Sequence, residues 1–139
     1  MSLPTTVENH TADQQQIYPD ALYFASRVSE GGAQPVYKKL LPDGGPTQLS
    51  PVPSQKLHNH SPDGFQWGYG GSGPAQLSLA LLLDATTDPD TALAFYQEFK
   101  REKVAGWGER WSITRSEILL WIAEQQKEKL EALAKANQN

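Results

Sequence analysis

One stretch constrains this chain more than any other: "GFQWGYGGSGPAQLSLALLL", residues 64–83, in which a run of glycines and aromatics leads straight into an apolar block. From Pro74 onward the residues are Ala, Leu and Ser on nearly every side of a helical wheel, so the spacing predicts a helix with no wet face. Such a helix must be surrounded. Ser72 is the expected N-cap, and Pro74 falls in the first turn, where its missing N–H costs nothing. The chain is therefore expected to fold around a central buried helix that starts near Ser72 and runs through Leu83.

The elements around it follow from local pattern. "ALYFASRV" (21–28) and "PVYKKLL" (35–41) are rich in aromatic and β-branched residues, and "SEGGAQ" between them supplies turn chemistry, which reads as a β-hairpin. Residues 42–64 hold five prolines and are expected to be an irregular connection, with a short strand near Gln48–Leu49 or Lys56–His58. A second helix is announced by "DPDT", with Asp88 as cap, Pro89 at the first position and Ala92, Phe95, Tyr96 and Phe99 as its apolar stripe; Gly106 ends it. A third begins at the capping box Thr114/Glu117, with Ile113 and Ile118 at the hydrophobic-staple positions. Beyond Ile122 its apolar side thins out. The expected fold class is α+β: a small antiparallel hairpin or three-stranded sheet packed on three helices. Residues 1–20 are expected to be a flexible arm, 21–122 a single domain, and 123–139 a solvated helical extension.

Composition limits the chemistry. The chain has no cysteine, which removes disulfides, thiolate catalysis and cysteine-held metal. Neither a signal peptide nor a spanning segment is apparent at the N-terminus or elsewhere, so a cytoplasmic location is expected. The net charge is −4, but residues 21–115 carry nine basic and nine acidic side chains, so the folded part has no broad electrostatic footprint for nucleic acid. Local patches stay open.

Four groups of residues could carry function. The glycine stretch precedes a helix N-terminus and could cradle a phosphate or carboxylate, with His60, Trp67, Tyr69, Gly70, Gly71, Ser72 and Gly73 around it. No βαβ pattern surrounds its G-x-G-x-x-G and no lysine completes a Walker loop, so a packing role competes with the anion site. Ser72 lacks the strand–turn–helix setting of a nucleophile elbow. His58, His60 and Asp63 could bind a divalent metal from an extended segment, although exposed loop histidines are the commoner case; no metal site and no cofactor is assigned. Tyr23, Phe24, Arg27, Lys38 and Lys39 mix aromatics with cations as single-strand binders do, but strand alternation must turn half of them inward. Trp107 and Trp111 serve either as core caps or as anchors for a partner.

"HSPDGFQWGYGGSGPAQLSLALLLD", then "ALAFYQEFKREKVAGW" and "WSITRSEILLWI", together resemble a family of uncharacterised bacterial and phage proteins that share a GFxWGYGGSGPAxLA motif. Ser78 stands where alanine is usual. The resemblance covers about residues 21–122 and implies a domain of unknown function associated with mobile elements, with no activity to carry over. The expected function is a non-enzymatic binding or accessory module acting on a protein or nucleic-acid partner. The alternative is a small-anion or nucleotide-binding protein or enzyme that uses the glycine loop.

Overall fold

The structure is a computed structural model that describes residues 19–138. The expected arm at residues 1–20 lies almost wholly outside the described residues. The fold is α+β: a four-stranded antiparallel sheet with helices gathered against one face. The strands are β1 (Ala21–Ser26), β2 (Tyr37–Leu40), β3 (Thr47–Gln48) and β4 (Arg110–Thr114), in the order β3-β2-β1-β4. The helices are α1 (Val52–Leu57), α2 (Ser72–Thr86), α3 (Pro89–Glu102) and α4 (Arg115–Ala136).

Helix α2 is buried as its composition requires: every residue from Gly73 to Leu82 is buried, and Ala85 with them. Its cap lies one residue earlier than expected. Gly71 is the N-cap and Ser72 the first helical residue. A cap at Ser72 would aim its hydroxyl at position 74, where proline has no N–H, and the Ala75 N–H is already bonded to the Gly71 carbonyl at 3.0 Å. At its far end Thr87 adopts the left-handed conformation with φ 53° and its N–H returns to the Leu83 carbonyl.

The β1–β2 hairpin forms with Tyr23 opposite Lys38 and Phe24 opposite Tyr37. The connection between the strands is held by buried Gln34, whose Oε1 accepts from the Val28 N–H at 2.8 Å and whose amide donates to the Ser29 carbonyl. Asp88 caps α3 through the Asp90 N–H, and Ala92, Phe95, Tyr96 and Phe99 are its buried stripe. That helix stops at Glu102, followed by a short 3-10 turn over Val104–Gly106. The capping box of α4 is complete: Glu117 N–H donates to Thr114 Oγ1 at 3.1 Å and Thr114 N–H to Glu117 Oε1 at 2.8 Å. Asp20 adds to it by accepting from the Ser116 N–H and hydroxyl. Ile118, Trp121 and Ile122 are buried, and beyond them α4 has no buried residue.

Two elements depart from the sequence expectation. Strand β4 occupies "RWSIT", whose last residues carry the capping-box and staple signals of the third helix; it pairs with β1, Phe24 opposite Ser112 and Ala25 opposite Trp111. Helix α1 lies where the sequence offers a strand at Lys56–His58, and the strand in this connection is β3, pairing Tyr37 with Gln48. A six-residue helix does not persist alone. Here buried Gln76 of α2 supports it, donating to Ser54 Oγ at 2.9 Å.

Truncating α2 should therefore be costly. Leu81→Ala is expected to lower unfolding free energy in urea by about 2–5 kcal/mol. Leu133→Ala, at an exposed position of α4, should change it by less than about 0.5 kcal/mol.

Candidate functional site

The glycine loop is shaped largely by close packing. Gly68 has φ +90°, and a Cβ there would meet the Trp107 carbonyl oxygen at 3.1 Å. A Cβ on Gly73 would strike Gln66 at 2.5 Å, and one on Gly71 would strike the Tyr69 ring at 2.6 Å. Trp67 is buried, donates its indole N–H to the Gly108 carbonyl at 2.7 Å and meets Trp111 edge to face at 5.6 Å. Tyr69 remains half exposed at the tip, with Gly70 beside it.

The sequence candidates Trp107, Trp111 and Arg27 are drawn into one aromatic column. Trp107 stacks on Trp111 at 4.3 Å, Phe99 meets both Trp107 and Trp121 edge to face, and Trp121 meets Phe95. The Arg27 guanidinium lies 4.8 Å over Trp67 and donates to Glu109, Gln66 and the Trp67 carbonyl. The Trp111 N–H is buried without a hydrogen-bond partner among the described residues.

His60 is held in place rather than presented. Gln76 Oε1 accepts from the His60 and Ser61 backbone N–H groups at 2.7 and 2.9 Å, and its amide donates to the His58 carbonyl. The His60 Nε2 lies 2.7 Å from the Tyr96 hydroxyl, and its ring stacks on His58 at 4.0 Å. Among the described residues no three His, Cys, Asp or Glu side chains are gathered to hold a metal. Burial, then the His58 and Lys100 charges, holds the His60 imidazole below its ordinary value of 6.5.

Lys38 and Lys39 go to opposite faces of the sheet. Lys38 points to the helices, where its Nζ lies 2.7 Å from Asp84 Oδ2; the Tyr23 hydroxyl donates to the same oxygen at 2.6 Å. Burial and that acceptor push the Tyr23 hydroxyl far above its ordinary range.

The outer face is different. Registers place Gln48, Tyr37, Phe24 and Ser112 in one row across all four strands, with Leu22, Lys39 and Thr114 in a row on one side and Ser26 and Arg110 on the other. None of these residues belongs to the buried core. Phe24 and Tyr37 are stacked at 5.8 Å and 28°. A shallow depression of about 540 Å³ is lined by Leu22, Phe24, Lys39, Arg110 and the neighbouring strand residues. Of this surface the sequence reading named Phe24 and Lys39 but not Tyr37 or Arg110. Period-two alternation could have revealed Tyr37 beside Lys39; Arg110 required knowledge of β4.

Acidification provides a check on the His60 environment. A folded-state value below the unfolded one means the unfolded chain takes up the proton first. The His60 contribution should be intact above pH 6.5 and be lost as the pH falls through that value toward the depressed one. Urea unfolding across this range should show a smaller acid-side loss for His60→Gln than for the wild-type chain.

No helix among the described residues is long and apolar enough to cross a membrane. No curated protein and no solved structure matches the chain. A family model does match, over residues 25–124, which take in the last two residues of β1, strands β2, β3 and β4, the glycine loop and the first part of α4. On that match the chain belongs to DUF6166, a family of unknown function.

Proposed function

We propose that the protein is a non-enzymatic binding module whose recognition surface is the outer face of the four-stranded sheet. One observation carries this reading: two stacked aromatic rings, Phe24 and Tyr37, sit in the middle of a sheet face outside the buried core. No described element packs over this face, and half-buried aromatics at the centre of such a surface are the usual anchors of a binding site, because each removes a large area from water when a partner arrives. An antiparallel sheet with one packed and one open face is a stable support for them.

The anion-binding alternative at the glycine loop has less in its favour. The space at Gly73 is filled by the Gln66 Cβ and backbone nitrogen, so packing accounts for that glycine, and the nearest atoms at Gly71 belong to the half-exposed Tyr69 ring. The helix N-terminus alone does not distinguish a ligand site from an ordinary helix start.

The test uses the full chain as bait beside its Phe24→Ala/Tyr37→Ala form, with equal far-UV circular dichroism as the folding control. A partner recovered by the wild-type chain should fall by about tenfold or more in the double variant. Identical recovery by both chains would remove the sheet face as the recognition surface.

A further inference from the structure

Resting on the outer face as the recognition surface, we infer that its occupant is single-stranded nucleic acid, with bases stacked on Phe24 and Tyr37 and phosphates held by Lys39 and Arg110. Two independent features of the face point to a ligand that is both flat-ringed and anionic.

The first is charge. Arg27 and Lys38, the other cations of the sheet region, are each paired with a carboxylate, Glu109 and Asp84. Lys39 and Arg110 have no carboxylate within ion-pair distance among the described residues. No Asp or Glu occurs among the nine residues that the register assigns to the outer face. On a chain of net charge −4, this is a local separation of charge. It leaves positive potential on the open side of the sheet, which complements a polyanion.

The second is geometry. The aromatic pair lies between the two cations: Lys39 is in the row on one side and Arg110 in the row on the other. A strand of nucleic acid crossing the face would lay unpaired bases on the rings while its backbone met a cation before and after them. The row ends in Gln48 and Ser112, which supply hydrogen-bonding groups beside the stacking surface. A duplex buries its base faces in its own stack and offers nothing to Phe24 and Tyr37, so the site should prefer single strands. An acidic polypeptide would satisfy Lys39 and Arg110 but would not require two flat rings.

The experiment is fluorescence anisotropy of the full chain with labelled oligothymidine and oligouridine of about 20 nucleotides, longer than the usual site size, at about 50 mM salt. Matched duplex DNA and poly-glutamate serve as competitors. Single strands should bind and the competitors should not displace them. Phe24→Leu and Tyr37→Leu, which keep apolar volume but lose the π-face, should each weaken binding by about fivefold or more. Two phosphate contacts set the slope of log affinity against log salt at about −1.4, and Lys39→Gln/Arg110→Gln should bring it close to zero. Lys103→Gln, on an exposed residue beyond α3, should bind like the wild-type chain.

Absence of single-strand binding overturns the inference, as does binding that survives both leucine variants or displacement by poly-glutamate. These results are separable from failure of the sheet face itself. A protein partner that is still lost in Phe24→Ala/Tyr37→Ala would keep the face and reject nucleic acid, whereas a partner set unchanged by that double variant would reject both.

Discussion

Helix α2 can be stable only if it is enclosed, and the rest of the architecture follows from that requirement. Gly73 through Leu82 leave no side for water, so the sheet, α3, α4 and the segment around α1 must each cover part of it. Burying each of its leucines contributes about 1.5–3 kcal/mol, and losing one neighbour would expose several at once. The few polar groups on α2 are used as fasteners. Gln76 satisfies four groups between Ser54 and Ser61. Ser78 bonds back to the Pro74 carbonyl at 2.8 Å, and Asp84 ties the helix to Tyr23 and Lys38 of the sheet.

The aromatic column is the second source of cohesion. From Trp67 through Trp111, Trp107, Phe99 and Trp121 to Phe95, each ring contacts the next. The column joins the glycine loop, β4, α3 and α4, elements far apart in the chain. Cations close both ends: Arg27 over Trp67, and Lys129 at 5.2 Å over Phe95. The four tryptophans are thus used chiefly for packing. The Trp111 N–H, without a hydrogen-bond partner among the described residues, is a local cost of the order of 1–3 kcal/mol, and the ring packs against Trp67 and Trp107.

Because the buried residues of the sheet and helices form one core on one side of the strands, the opposite sheet face is left with Phe24, Tyr37, Lys39 and Arg110. The division of labour is sharp along β2. Lys38 turns inward to a carboxylate, and its neighbour Lys39 turns outward to none among the described residues. Core packing and the proposed recognition surface therefore use alternate residues of the same strands.

Much of this was legible in the linear chain. The enclosure of α2, the hairpin, the Asp88 cap and stripe of α3, and the Thr114/Glu117 box of α4 each depend on residues within a few positions of one another, where periodicity and capping chemistry suffice. Helix α1 was not legible, because its stability comes from a Gln76 amide contributed by a distant helix. Strand β4 was not legible either, because five residues ending in a capping box carry a helix signal until β1 is beside them. The inward or outward assignment of Arg27, Lys38, Trp107 and Trp111, and the meeting of Arg110 with Phe24 on one open face, were decided only by tertiary pairing. Local sequence determines which backbone conformation a segment prefers; which side of that segment meets water depends on partners brought from elsewhere in the chain.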